Sequence, residues 1–205
     1  IRHAGASAGD IEGLAIPGGS DRNLMSSEAF RAGVARLGER GLTYDTWLYH
    51  FQISDFVELA RAVPTTIMIL DHFGTPLGVG EFAHQKDLIY EQWKHDIECV
   101  AECSNVFAKL GGLAMPDNGF GWHERATPPS SDEFVEAQSR YYEHAIASFG
   151  VERCMFESNF PVDRLSIGYR LLWNGLKKMT SDFSDEEKDL LFSGVARQVY
   201  RIDAA

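Results

Sequence analysis

Short apolar runs alternate along this chain with longer stretches in which apolar residues recur every three to four positions. Thr43–Tyr49 alternates and carries three aromatic residues, which predicts a strand. Thr66–Leu70 (TIMIL) is a continuous apolar run, the pattern of a strand covered on both faces. Val106–Leu110 and Cys154–Phe156 are shorter runs of the same kind, and Ile1 begins a further strand stub. Between them the spacing predicts helices over Ser27–Arg40, Ser54–Ala62, Lys86–Glu102, Ser130 to about Phe149, and Leu165–Met179. Ser130 and Glu133 form a capping box, and Gly150 closes that helix. Ser184 and Glu187 form a second box, opening a last helix with Leu191, Val195 and Val199 on one stripe. Strands that alternate with covering helices predict a parallel sheet with right-handed crossovers, either doubly wound or closed into a barrel.

Composition narrows the setting more than the function. The 205 residues are 44% hydrophobic and 24% charged, ordinary for one globular domain over 1–205. A net charge of −11 disfavours nucleic acid and anionic membranes as partners, because both attract basic surfaces. No apolar run approaches the roughly 20 residues that span a bilayer. A cytoplasmic protein is expected, with Cys99, Cys103 and Cys154 as reduced thiols. Cys99 and Cys103 fall four apart on a helix, where small buried side chains are favoured over a metal pair. The first residue is Ile1 and the first methionine Met25, so a start inside a longer protein is expected.

In α/β folds ligands bind at the carboxyl ends of the strands. There the first strand runs into His50, the second into Asp71-His72, and the fourth into Glu157-Ser158-Asn159. Two imidazoles at neighbouring strand ends reach a common point, where they ligate a metal or exchange a proton. The competing reading is that each histidine caps its strand. Asp71 should point away from His72 by strand alternation. Lys109, in an otherwise apolar strand, should face the sheet's mouth or a carboxylate, with snorkelling as the alternative. The long connection 111–129 brings Phe120, Trp122, His123 and Arg125, which suit closure over a small-molecule substrate or packing in a homo-oligomer equally well.

The runs LTYDTWLYH, ILDHFGTPLG, NVFAKLGGLAMPDNGFGWHE and RCMFESNFPVD resemble consecutive strand-end segments of the amidohydrolase-related (amidohydrolase 2) group of metal-dependent hydrolases. That group includes lactonases for pyrone and sugar lactones and a decarboxylase type. The resemblance implies a partial (β/α)₈ TIM barrel, with this chain supplying strands four to eight and strands one to three missing. It implies that Arg2 contacts a substrate carboxylate, that His50 is a metal ligand in zinc-dependent members, and that His72 lies beside the reacting carbonyl or water. Catalytic roles then fall to His50, His72 and Asn159, and substrate binding to Arg2, Tyr49, Lys109, Trp122 and His123. Asn159 stands where the group usually has aspartate. A neutral amide is no carboxylate base and a poor zinc ligand, so a metal-independent branch stands beside a zinc enzyme. Asp163, four residues on, either takes over the acidic role or caps the next helix, and the cap is favoured. The expected activity is hydrolysis of a small carboxylated ester, lactone or amide by an activated water. The alternatives are a decarboxylase of the same fold and an inactive fragment or binding-only relative.

Overall fold

The computed structural model describes residues 1–202, and among them four strands form one parallel sheet in sequential order. These are β1 (Tyr44–Thr46), β2 (Met68–Asp71), β3 (Val106–Leu110) and β4 (Cys154–Phe156). The predicted stub at the chain start is a single parallel bridge from Arg2 to Asp45 of β1. Strands β1 and β2 are shorter or later than their apolar runs. Trp47 leaves the sheet because its carbonyl accepts from Gly5 and Ala6 of the N-terminal segment, and Ile67 is exposed ahead of β2.

The covering helices are α1 (Glu28–Glu39), α2 (Ile53–Ala62), α3 (Lys86–Ala101), α4 (Ser131–Phe149) and α5 (Tyr169–Met179). Then come α6 (Asp185–Asp189) and α7 (Val195–Tyr200), joined by a π-helical turn over Leu190–Gly194. Ser27 caps α1, and both predicted boxes form, Ser130 with Glu133 and Ser184 with Glu187. Each box satisfies two amide groups that a helix start would otherwise leave open.

Alternation sorts the strand side chains between two faces. Met68, Leu70, Val106, Ala108, Leu110, Cys154 and Phe156 join the main core with Phe56, Trp93, Ile97, Phe134, Tyr142 and Leu172 from the helices. The other face carries Asp45, Ile69, Asp71, Phe107, Lys109 and Met155, where Ile69 and Met155 pack against Val195 and Val199 of α7.

Two helix expectations are corrected. The stretch from Leu165 begins as a short 3-10 turn, Val162–Leu165, with Leu165 exposed, and α5 starts only at Tyr169 with Gly168 as its cap. The last helix is not one stripe. Its π turn adds a residue to the helical cycle and rotates the apolar face. Leu191 therefore enters the main core while Val195 and Val199 cover the sheet's opposite face.

Candidate active site at the strand ends

Strand β2 ends in an unusual turn. His72, Phe73, Gly74 and Thr75 all have positive φ, at 56°, 58°, 61° and 36°. Left-handed backbone at a non-glycine residue costs of order 1–3 kcal/mol and persists only where the surroundings over-determine it. Here the indole of Trp93 donates to the Phe73 carbonyl at 2.7 Å, the indole of Trp47 to the Thr75 hydroxyl at 2.8 Å, and His50 N to the Thr75 carbonyl at 3.3 Å. The turn ends the strand's alternation, and this corrects the expectation that Asp71 and His72 serve opposite sides. Arg2 reaches both, with Nε 3.1 Å from Asp71 Oδ2 and one terminal nitrogen 3.0 Å from His72 Nε2.

The other ring nitrogen, His72 Nδ1, lies 2.5 Å from Glu157 Oε1 at the end of β4. Burial of the imidazole opposes its charged form, but Glu157 and Asp71 outweigh that and hold its pKa above the ordinary value. Guanidinium donates only, so Nε2 accepts from Arg2 and Nδ1 carries the proton towards Glu157. Arg2, which covers this nitrogen, is itself more than half exposed.

Gly112 makes the arrangement possible. At φ 85°, a Cβ here would sit 2.7 Å from His72 Nδ1 and 2.8 Å from its Cγ. Gly112→Ala is expected to lower stability by about 1–3 kcal/mol through overpacking and to push the ring off Glu157. Urea midpoints together with the His72 ring resonances measure both effects, and an unchanged pair of readings would refute the packing argument.

Beneath this layer lies a buried ionic cluster. Lys109 Nζ is 2.8 Å from Asp45 Oδ2 and 2.9 Å from Asp71 Oδ1, and the Tyr200 hydroxyl donates to Asp45. Burial pushes the Asp71 carboxyl up and Lys109 draws it back, while the carboxylates hold Lys109 charged against its own burial. Lys109 is thus held by two carboxylates of its own sheet and is not free at a cleft.

His50 sits in a different setting. Its turn packs beside that of His72, yet its Nδ1 lies 3.3 Å from Leu77 N and its ring meets Phe51 and Phe82 edge-on at 5.4 and 5.2 Å. Burial lowers its pKa to about 4, partly offset by the Thr75 backbone, so this imidazole is neutral near pH 7. Phe51 and Phe82 line a cavity of about 450 Å³ together with Ser7, Asp10, Arg22 and Glu81.

Four further expected residues, Tyr49, Trp122, His123 and Asn159, are each held by contacts of their own. Tyr49 is fully buried, and its hydroxyl accepts from Gly18 N at 2.8 Å and donates to the Ile16 carbonyl at 3.1 Å. Its hydroxyl thereby anchors the N-terminal loop. Trp122 is buried between Phe120 and Phe134, while His123 is exposed near Glu124. Both line a cavity of about 360 Å³ with Phe160. Asn159, at φ 50°, donates from Nδ2 to Asp163 Oδ1 at 2.8 Å. Asp163 is not the expected helix cap. It lies within the turn ahead of α5, 1% exposed, and burial pushes its carboxyl up to about 7.

Glu157, Asp45, Asp71 and Tyr200 were not among the expected site residues. Glu157 and Asp71 had a usable signal, each a carboxylate directly after an apolar run.

Among the described residues, no three His, Cys, Asp or Glu side chains are arranged to hold a metal ion. His50 stands alone among aromatic rings, and Asn159 offers an amide already bonded to Asp163. These residues by themselves do not fit a zinc centre. Among the described residues, no helix is long and apolar enough to cross a membrane.

A family model described as amidohydrolase matches residues 11–202. The uncharacterized protein y4mH of Sinorhizobium fredii (strain NBRC 101917 / NGR234) is 38% identical over 183 residues, covering 89% of this chain and 55% of that protein. The L-fucono-1,5-lactonase of Burkholderia multivorans is 26% identical over 182 residues, covering 88% of this chain and 58% of the lactonase. A crystal structure of an amidohydrolase from Burkholderia multivorans with bound Zn superposes with a TM-score of 0.76 at 25% identity, covering 89% of this chain and 60% of that one. A putative 2-pyrone-4,6-dicarboxylic acid hydrolase from Pseudomonas putida shares the fold, with a TM-score of 0.61 at 18% identity over 100% of this chain and 64% of that one. The chain thus spans a little over half the length of the curated relatives it matches, and its α/β architecture is that of a partial barrel.

Proposed function

Because the chain belongs to the amidohydrolase family, whose model spans residues 11–202, we propose that it carries the strand-end half of a hydrolase site for a small carboxylated ester, lactone or amide. The observation that carries this reading is the relay Arg2–His72–Glu157, with its contacts of 3.0 and 2.5 Å. Glu157 fixes the Nδ1–H tautomer of His72 and stabilises its charged form, which is how a carboxylate prepares an imidazole as a general base. Arg2 guards Nε2 until a substrate carboxylate draws the guanidinium away. The freed nitrogen then takes a proton from water as the water oxygen bonds to the carbonyl carbon. The same proton passes to the leaving oxygen or nitrogen as that bond breaks.

A lactone is the favoured substrate form, supported by the likeness to the L-fucono-1,5-lactonase. The cavity beside His50 is of the size that takes a monosaccharide-like ring. The test is a panel of sugar lactones, pyrone carboxylates, simple esters and amides, followed by proton release with and without added zinc. The protein is assayed in the context of its full coding sequence. Turnover of a lactone or carboxylated ester above the buffer rate is expected. Silence across the whole panel under both conditions overturns the reading.

A further inference from the structure

Asn159 and Asp163 form a pair that the relay above does not use. Asp163 Oδ1 accepts from the Asn159 amide at 2.8 Å, and Asp163 N donates to the Asn159 carbonyl at 3.2 Å, so both ends of this short turn are tied together. The second carboxyl oxygen, Asp163 Oδ2, is buried without a well-formed hydrogen bond, and the Ala114 backbone N–H also acts on this carboxyl. A buried carboxylate oxygen left open is costly, and it calls for either a proton or a partner that comes and goes.

We propose that Asp163 is a positioning residue that sets which end of the Asn159 amide is presented to the strand-end site. The inference rests on the reading of that site as hydrolytic. The chemistry is that of an amide rotor. While Asp163 is a carboxylate it accepts from Asn159 Nδ2, and the amide oxygen is turned outward as an acceptor. When Asp163 is protonated, its O–H donates to Asn159 Oδ1, the amide turns over, and the NH₂ group is presented as a donor. The proton comes from solvent or the neighbouring acid–base pair and returns there, with no other bond made or broken. An outward oxygen suits orienting a water, and an outward NH₂ suits holding a carbonyl oxygen.

Groups on four packed segments act on this carboxyl. They are His72 after β2, the Ala114 backbone N–H after β3, Glu157 after β4, and Tyr142 on α4. Burial raises the carboxyl to about 7, the Asn159 bond, His72 and the Ala114 backbone N–H lower it, and Glu157 raises it. Both protonation states are therefore populated near neutrality.

The experiment is side-chain NMR on the labelled protein, following the Asn159 amide and the Asp163 carboxyl carbon from pH 5 to 9. We expect both to titrate with one shared midpoint near neutral. In Asp163→Asn the amide transition at that midpoint should vanish, while the His72 ring signals stay in their folded positions. The proposal is overturned if the wild-type Asp163 carboxyl titrates in the ordinary range near 4, or if the amide signals stay flat through its midpoint. The wild-type comparison decides the matter even where the variant does not fold. Failure of the substrate panel would sink the hydrolase reading and leave this measurement standing.

Discussion

Replacing His72 with Asn is expected to lower turnover on the responsive substrate by about 10²–10⁴-fold, the range for loss of a general base. The loss should fall on kcat, because the proposed carboxylate anchor, Arg2, is untouched. Glu157→Gln is the informative companion. Its amide can still receive the Nδ1–H but no longer stabilises the imidazolium, and the His72 pKa should fall because burial then acts with less opposition. The rising limb of the pH–rate profile should therefore move to lower pH while the plateau drops. Stability carries its own sign. A histidine whose folded pKa is raised adds stability that is fully present below about 6.5 and is lost as pH rises through the folded value. Urea midpoints measured upward from pH 6 should decline more in wild type than in His72→Asn. A variant that keeps the parent rate would remove His72 from the chemistry, and matching pH slopes would show that Glu157 does not charge it.

That relay was only half visible in the amino-acid order. His72 and Glu157 each follow an apolar run, so their place at strand ends was legible. Their contact spans 85 positions and depends on β2 and β4 flanking β3, which no local pattern encodes. Helix starts were the clearest reading, because a capping box is a chemical device complete within four residues. What escaped was backbone that breaks the regular period. The left-handed turn at His72–Thr75 is imposed by Trp93, Trp47 and His50, all from other segments, and overrides the preferences of its own residues. Asp163 departs from its expected place for a related reason. An acidic residue shortly before an apolar periodic stretch has the look of a helix cap, but Gly168 takes that place and the carboxyl turns inward to Asn159.

Lys109, by its register between two carboxylates, is the residue whose loss should damage the fold most. Asp71 and Lys109 are direct partners across β2 and β3, and Asp45 on β1 completes the cluster. The Asp71 side chain is fully buried and that of Asp45 nearly so, so neither carboxylate has water to fall back on. Removing one member of a buried ion pair leaves an uncompensated charge, which costs about 3–5 kcal/mol. Lys109→Met should lower stability by about that much at pH 7 in urea unfolding. Arg2 still holds one oxygen of Asp71, so the deficit should concentrate on Asp45 and the freed Asp71 oxygen. Without the ammonium, the Asp71 carboxyl, already pushed up by burial, should rise further, and the folded state then binds a proton more tightly there than the unfolded one. Stability of the variant should increase as pH falls from 7 towards 5. Adding Asp45→Asn to Lys109→Met should recover part of the loss by removing a stranded charge. A Lys109→Met protein within about 1 kcal/mol of the parent, with no gain in mild acid, would mean that water already reaches this cluster.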